Sequence, residues 1–302
     1  NWITADSNNV HFVWSDCRDG NNAVYYKSSF DAGKTWSEDK RLTYNNFNAV
    51  TPCAVVDDSV IHVVWEDNVS GNSEIYYKRS DDAGLTWTED QRITYSTRSI
   101  NPSLAISDST IYVSWIYLTD NNYEIFMTIS YDSGKSWIDN FQLSNDPAFS
   151  ANQDVVASGS DVHVFWNDFR DGNYEIYYKR SSDRGRSWDS DKRLSFDGAT
   201  SAQPRAVIHD SVLVLVFTDS RKYNYEIFSM RSVNSGFDWS GCTRLTNAYY
   251  SSWYPRIAGE GPNIYLVWQD ERSANDEVFF KYSLLASQLD LSGGKPEPKG
   301  VA

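Results

Sequence analysis

The chain has 302 residues, with 41 acidic against 27 basic side chains and a formal net charge of −14. So acidic a surface repels phosphate backbones and argues against nucleic acid as a partner, and no apolar run approaches the ~20 residues of a membrane span. Aromatic residues make up 15% of the chain, 12 of them Trp and 20 Tyr, which suits all-β repeats whose units each bury several rings.

The chain opens at Asn1 rather than Met, with no signal-like segment, so a leader is expected to have been removed or the chain trimmed. Trp14, Trp65, Trp115, Trp166, Phe217 and Trp268 follow at intervals of 51, 50, 51, 51 and 51 residues. Trp36, Trp87, Trp137, Trp188 and Trp239 keep step with them. A period of this length built from short apolar runs predicts one supersecondary unit used six times. In the second copy an apolar strand A follows a proline, Pro52–Val56. A polar turn, Asp57–Ser59, leads into strand B, Val60–Trp65, which is expected to alternate toward its marker Trp. The fourth copy shows the rest: a Gly/Asn/Asp loop at Asp168–Asn173, strand C at Glu175–Lys179, a tight turn carrying the second Trp, and a short strand D at Lys192–Ser195. Four short strands bounded by turn residues make one propeller blade.

The sixth copy begins strand A at Pro255–Ala258 and has no turn motif after Lys281–Ser283. Its fourth strand is expected either at Ser287–Leu291 or from chain preceding Asn1. The last stretch, Ser292–Ala302, is rich in Gly, Pro and Lys and reads as a flexible linker to a further domain. The expectation is an all-β, six-bladed β-propeller with four antiparallel strands per blade over residues 1–291, and a linker-like tail over 292–302.

The turn between strands C and D carries Ser29–Trp36, Ser80–Trp87, Ser130–Trp137 and Ser181–Trp188, each fitting S-x-D-x-G-x-[TS]-W, and a degenerate copy at Ser232–Trp239. This resembles the Asp-box, or BNR repeat, of sialidases and sialidase-like propellers. The structural set is Asp31, Gly33 and Trp36; Asp82, Gly84 and Trp87; Asp132, Gly134 and Trp137; Asp183, Gly185 and Trp188; and Asn234, Gly236 and Trp239. Asp accepts backbone N–H groups in its own turn, Gly supplies positive φ, and Trp packs into the blade. In that family the box lies on the face opposite the active site, so it implies fold rather than catalysis. The superfamily spans sialidases, other glycosidases, lyases and non-catalytic binders.

A residue present in every copy is expected to build the blade. Asp16, Asp67, Asp168, Asp219 and Asp270 stand two after the marker, Arg18, Arg170, Arg221 and Arg272 four after, and Glu74, Glu124, Glu175, Glu226 and Glu277 nine after. This set is expected to brace the B–C loop. Arginine in a ligand position argues against calcium there. His11, His62 and His163 share one strand-B position, three before the marker, with Tyr112, Leu213 and Tyr265 as the equivalents expected elsewhere; a slot that accepts Leu is expected to pack rather than bind metal. No metal or cofactor is expected.

The positions that break the period are the functional candidates. The first strand-A residue after the Pro-equivalent runs Trp2, Cys53, Ser103, Asp154, Arg205, Arg256, a ring expected around the mouth of the propeller channel. Glu66, Tyr117, Asn167, Thr218 and Gln269 diverge on the same face, joined by Arg98, Trp253 and Tyr254 from the D–A loops. Ligand contacts are expected at Asp154, Arg205, Arg256, Ser103, Tyr117, Trp253 and Tyr254. Should there be catalysis, Asp154, Glu66 and Tyr117 are the candidates for it. Sialidases grip a carboxylate with three arginines, and the F/Y-R-I-P signature is only partly echoed by Tyr254–Ile257. Cys17 and Cys53 lie on the same face of adjacent copies, so a disulfide between them and a pair of free thiols are both open, and Cys242 is expected to be free. The reading is an extracellular or cell-surface propeller that binds a glycan or a surface protein, with a glycoside hydrolase or polysaccharide lyase as the alternative.

Overall fold

Positive backbone φ at Ser7, Asp58, Asp108, Gly159 and Asp210 folds the first two strands of five successive copies back on each other. The computed structural model describes residues 1–119, 122–260, 263–272 and 275–284. Blade 1 comprises β1–β4 (Trp2–Asp6, Asn9–Asp16, Ala23–Ser29, Lys40–Arg41) and blade 2 β5–β8 (Ala49–Asp57, Val60–Asp67, Glu74–Ser80, Gln91–Arg92). Blade 3 comprises β9–β12 (Ser99–Ser107, Thr110–Leu118, Tyr123–Ser130, Phe141–Gln142) and blade 4 β13–β16 (Ser150–Ser158, Asp161–Asp168, Glu175–Ser181, Lys192–Arg193). Blade 5 comprises β17–β20 (Ser201–His209, Val212–Asp219, Glu226–Ser232, Thr243–Arg244) and blade 6 β21–β23 (Ser252–Glu260, Asn263–Asp270, Glu277–Leu284). Each sheet is antiparallel in chain order, five of four strands and the last of three among the described residues. The fold is an all-β, six-bladed propeller. The candidate fourth strand at Ser287–Leu291 and the tail lie outside the described residues. The chain divides near the start of β13 into two compact units, residues 1–150 with blades 1 to 3 and residues from 151 with blades 4 to 6.

The second strands of blades 2 to 5 depart from simple alternation. β6, β14 and β18 are buried at almost every residue, because neighbouring sheets cover both faces. In the first unit Val13, Tyr26, Ala54, Val63 and Trp65 form one such layer, and Val64, Ile75, Tyr77, Val113 and Trp115 the next. In the second unit Phe165, Ile176, Leu215 and Phe217 do the same. The marker rings Trp65, Trp115, Trp166 and Phe217 are at most 1% exposed, which explains their strict spacing.

The C–D turns share one hydrogen-bond pattern. Ser29 Oγ donates to Asp31 Oδ1 at 2.8 Å and accepts Gly33 N at 2.9 Å. Thr35 N and Oγ1 then donate to the two Asp31 oxygens at 2.8 and 2.6 Å. The Thr or Ser hydroxyl, then its amide, holds the Asp31, Asp82, Asp132 and Asp183 carboxyls at about 2. The turn glycines sit at φ of 80° to 88°, a region that costs other residues about 1–2 kcal/mol.

Those glycines also receive the neighbouring blade. Tyr26, Tyr77 and Tyr178 press their hydroxyls against Gly84, Gly134 and Gly236 so closely that an added Cβ would lie under 3.0 Å away. Behind each hydroxyl stands a buried histidine: His11, His62 and His163 place Nδ1 2.8, 2.7 and 2.7 Å from it. Tyr26 Oη donates onward to Ala83 O at 3.3 Å, so the histidine is the donor to the tyrosine and holds its proton on Nδ1. The histidines are therefore packing and hydrogen-bonding groups, and in blade 5 Val214 rather than Leu213 holds the same place, since Val214 pairs with Arg231 as His163 does with Arg180.

Burial lowers all three imidazoles, His62 and His163 from 6.5 to about 4. A neutral imidazole in the fold and a titrating one in the unfolded chain mean that stability is complete above the unfolded value and is lost as the pH falls toward the folded one. That loss is at most about 3 kcal/mol per histidine. Urea titrations at steps between pH 7 and 4 are expected to show this decline, and His163→Val is expected to flatten it. An unchanged slope in that variant would contradict the assignment.

Two separate braces replace the single one expected for the B–C loop. Arg170 and Arg272 grip Asp168 and Asp270 side-on at 2.6 to 2.9 Å. The glutamates hold the B–C loop through its asparagines, Asn173 to Glu175 at 2.9 Å and Asn224 to Glu226 at 3.2 Å, and they reach strand D as well: Glu74, Glu175 and Glu226 accept Arg92, Arg193 and Arg244 at 2.8, 2.7 and 2.6 Å and also the hydroxyls of Thr94, Ser195 and Thr246. Strand D is only two residues long, so this second brace fixes what its ladder cannot.

Candidate functional site

The first strands β5, β9, β17 and β21 carry a bulge just before the ring position, and β13 shares their positive φ there. Thr51, Asn101, Asn152, Gln203 and Tyr254 sit at φ of 50° to 57°, and the register shifts there, as between Ala202 and Arg205 or Trp253 and Arg256. Non-glycine residues in this region are uncommon, and a β-branched one such as Thr51 is a marked outlier. Their recurrence at one level makes this rim the strained part of the fold.

In the first unit the ring residues have packing roles. Trp2 packs against two hydrophobic layers. Cys53 is 6% exposed and donates its S–H to Pro102 O at 3.0 Å. Ser103 is buried. The candidate pair Cys17 and Cys53 is not bonded: Cys17 is exposed, Cys53 is buried, and Cys242 is also a free thiol. Cys53 faces the next blade, which explains why sharing a face with Cys17 is not enough to join them. Glu66 is the distinctive acid of this unit. Burial pushes its carboxyl up, offset by Ser73, by the Asn101 amide at 3.4 Å and by the Arg98 charge. Tyr117 stands where other blades have the braced aspartate. It packs on Phe126, and its hydroxyl accepts Thr97 Oγ1 at 3.4 Å.

In the second unit the divergent residues gather along β13, β17 and β21. Asp154 is 6% exposed and its Oδ2 accepts Ala206 N at 2.8 Å, which ties it to β17 beside Arg205. Arg205 is half-buried. Its Nη1 donates to Pro204 O at 2.6 Å, while its Nε is buried without an acceptor and no carboxylate lies in ion-pair range among the described residues. Arg256 is exposed and donates to Pro255 O at 3.2 Å. Gln203 accepts Tyr254 N at 3.1 Å, and Thr218 anchors to Ala202 O at 2.9 Å. Trp253 stacks on Tyr225 with centroids 3.9 Å apart, beside the 55%-exposed ring of Tyr254. Asn167 Oδ1 is buried without a partner. Gln203 was not singled out from sequence; its signal is its place as the residue before the Pro-equivalent in a series of otherwise polar, diverging residues. Among the described residues no three His, Cys, Asp or Glu side chains gather as a metal ion would require.

A rim of strained bulges carrying diverging polar side chains on a regular scaffold defines a repeat propeller with its variable surface at one end of the blades. Residues 60–266 match the BNR repeat-like domain, and the chain belongs to that family of sialidase-like propellers. An α-L-arabinofuranosidase from Fusarium graminearum in complex with an iminosugar inhibitor is similar in fold, with a TM-score of 0.65 at 15% identity over 92% of this chain and 90% of that one. A polysaccharide lyase acting on ulvan gives 0.64 at 10% identity over 93% and 79%. A sialidase from Streptococcus pneumoniae gives 0.61 at 13% over 93% and 67%. At these identities the likeness is one of fold. No curated protein matches the sequence significantly.

Proposed function

We propose that this protein is an extracellular or cell-surface glycan-binding propeller that holds its ligand on the rim of the second unit. The observation that carries the reading is Arg205. Among the described residues this half-buried guanidinium has no carboxylate partner, and its Nε is left without an acceptor, a state that a ligand oxygen would relieve. Tyr254 and Trp253 offer aromatic faces for sugar rings, and Gln203 and Thr218 offer hydroxyl partners. The fold neighbours act on saccharides by their names, which supports the ligand class. On this reading the C–D turns are Asp-boxes with a structural role, and the blades act as one domain.

A glycan array with the wild-type chain, followed by titration of the best ligand, tests this. Arg205→Ala is expected to weaken binding by about tenfold or more with little change in thermal stability. Equal affinity in the variant would refute the rim assignment. One observation favours a second reading, a glycoside hydrolase or polysaccharide lyase: Glu66 is half-buried with a raised carboxyl near Arg98, as a proton donor requires. Turnover of a glycoside or uronide panel that disappears in Glu66→Gln would establish that reading over binding alone. Asp154 fits the acid role less well, since its carboxylate already holds a backbone amide.

A further inference from the structure

A second departure from the repeat lies away from the rim, on the outer side of blades 4 and 5. In blades 1 and 4 the arginine of the B–C loop is met twice. Arg18 and Arg170 grip their own aspartates side-on, and their Nη1 atoms pair with Asp39 and Asp191 at 2.7 and 3.0 Å. The same carboxylates take Lys27 and Lys179 at 2.7 and 2.8 Å. Blade 5 keeps the arginine, Arg221, bound side-on to Asp219. Both other members are exchanged: Cys242 stands in the place of Asp39 and Asp191, and Met230 in the place of Lys27 and Lys179. Burial pushes the Cys242 thiol up, so it is neutral and 4.0 Å from Arg221 Nη2. Asp197 reaches Nε at 3.4 Å. Arg221 Nη1 has no hydrogen-bond acceptor among the described residues.

The exchange coincides with a groove of about 850 Å³ lined by Arg221, Met230, Trp239, Cys242, Leu194 and Phe196. The Trp239 indole N–H is buried without an acceptor, whereas Trp36, Trp87 and Trp188 donate to their turn glycines at 3.0 to 3.2 Å. Phe196 is 73% exposed and is held by the Arg193 guanidinium 5.0 Å from its centroid, a fixed ring with a face free for stacking. The unmet Arg221 donor, the apolar side chains of Leu194 and Met230 and an aromatic plate meet in one cavity, whose wall also carries Lys192, Asp197 and Asp238.

We infer that this groove is a second saccharide site, selective for a sugar that bears a carboxylate: the ligand's carboxylate takes the place at Arg221 Nη1 that Asp39 and Asp191 fill in their blades, and the sugar ring lies on Phe196. A carboxylate on arginine is a charge-assisted, geometrically specific contact, and the ligand takes the position of the carboxylate that blade 5 lacks, Met230 having removed the lysine that shared it in blades 1 and 4. The site is independent of the rim.

Calorimetric titration of the full chain with digalacturonate, and with neutral cellobiose as control, tests the inference. Digalacturonate is expected to bind about tenfold more tightly than cellobiose. Cys242→Asp restores the residue of blades 1, 2 and 4, and is expected to keep or raise the thermal midpoint while weakening digalacturonate by about tenfold. Phe196→Ala, at an exposed position, is expected to weaken it about fivefold. Arg205→Ala is expected to leave it unchanged. Absence of digalacturonate binding, equal binding of cellobiose, full binding by Cys242→Asp, or loss in Arg205→Ala would each overturn the inference, the last by moving the ligand to the rim.

Discussion

Replacing Gly134 by alanine is expected to destabilise the first unit by about 2–5 kcal/mol, the sum of a positive-φ penalty and overpacking against a rigid ring. The backbone there has φ of 80°, and the new Cβ would lie inside the Tyr77 ring, closer than 3.0 Å to Oη, Cζ and Cε1. Tyr77 cannot retreat. It is 2% exposed, its hydroxyl is bonded to His62 at 2.7 Å, and Trp137 meets it edge-on with centroids 5.0 Å apart. Gly33 supplies the internal control. It has the same turn and a similar φ of 83°, yet an added Cβ would meet only Trp36 at 3.8 Å. Gly33→Ala is therefore expected to cost only the backbone part, about 1–2 kcal/mol. Denaturant unfolding of the two variants side by side measures the wedge directly. Equal losses would mean that no wedge exists.

The second large effect concerns the buried glutamates. Glu226→Ala is expected to cost about 3–5 kcal/mol, the usual result of removing one partner of a buried, hydrogen-bonded charge pair. Glu226 is fully buried and receives Arg244 at 2.6 Å, Ala248 N at 2.9 Å, Asn224 at 3.2 Å and the Thr246 hydroxyl. Its loss orphans donors on strand D and the following loop at once. Arg244→Ala is expected to cost less, because the side chain is 28% exposed and the glutamate keeps its other donors. Urea unfolding of both single variants and the double variant gives the coupling. A Glu226→Ala loss below about 1 kcal/mol would show that strand D does not depend on this brace.

The first prediction rests on a contact between copies and the second on one between strands paired within a copy, and such contacts separate what was legible in the sequence from what was not. The six-fold period, the turn chemistry and the marker aromatics were legible, because each depends on local φ or on one ring filling one slot. The histidines were recognised as packing groups, but their partners were not. The signal was present all the same: His11, His62 and His163 occur in the copies that also carry Tyr26, Tyr77 and Tyr178, while Val214 coincides with Ser229. The glutamates do hold the B–C loop through its asparagines, but their arginine partner was misassigned, since the arginine nearest in sequence is not the one nearest in space. Strand pairing brings the strand-D arginine, 18 residues away, to the carboxylate.

The ring of diverging residues was a correct place to look for variation and an incomplete guide to chemistry. Its six positions are equivalent in sequence, yet Trp2 packs into the core, Cys53 donates to a carbonyl and Asp154 holds an amide, while Arg205 keeps unmet donors. By itself the sequence determined the fold class and the family, because a repeat imposes the same local requirements on each copy and shows them as periodic residues. Only the tertiary structure decided which polar groups are satisfied, because hydrogen bonds between blades join residues about fifty positions apart. The unmet donors of Arg205, Arg221 and Trp239 become visible only once every neighbour is in place.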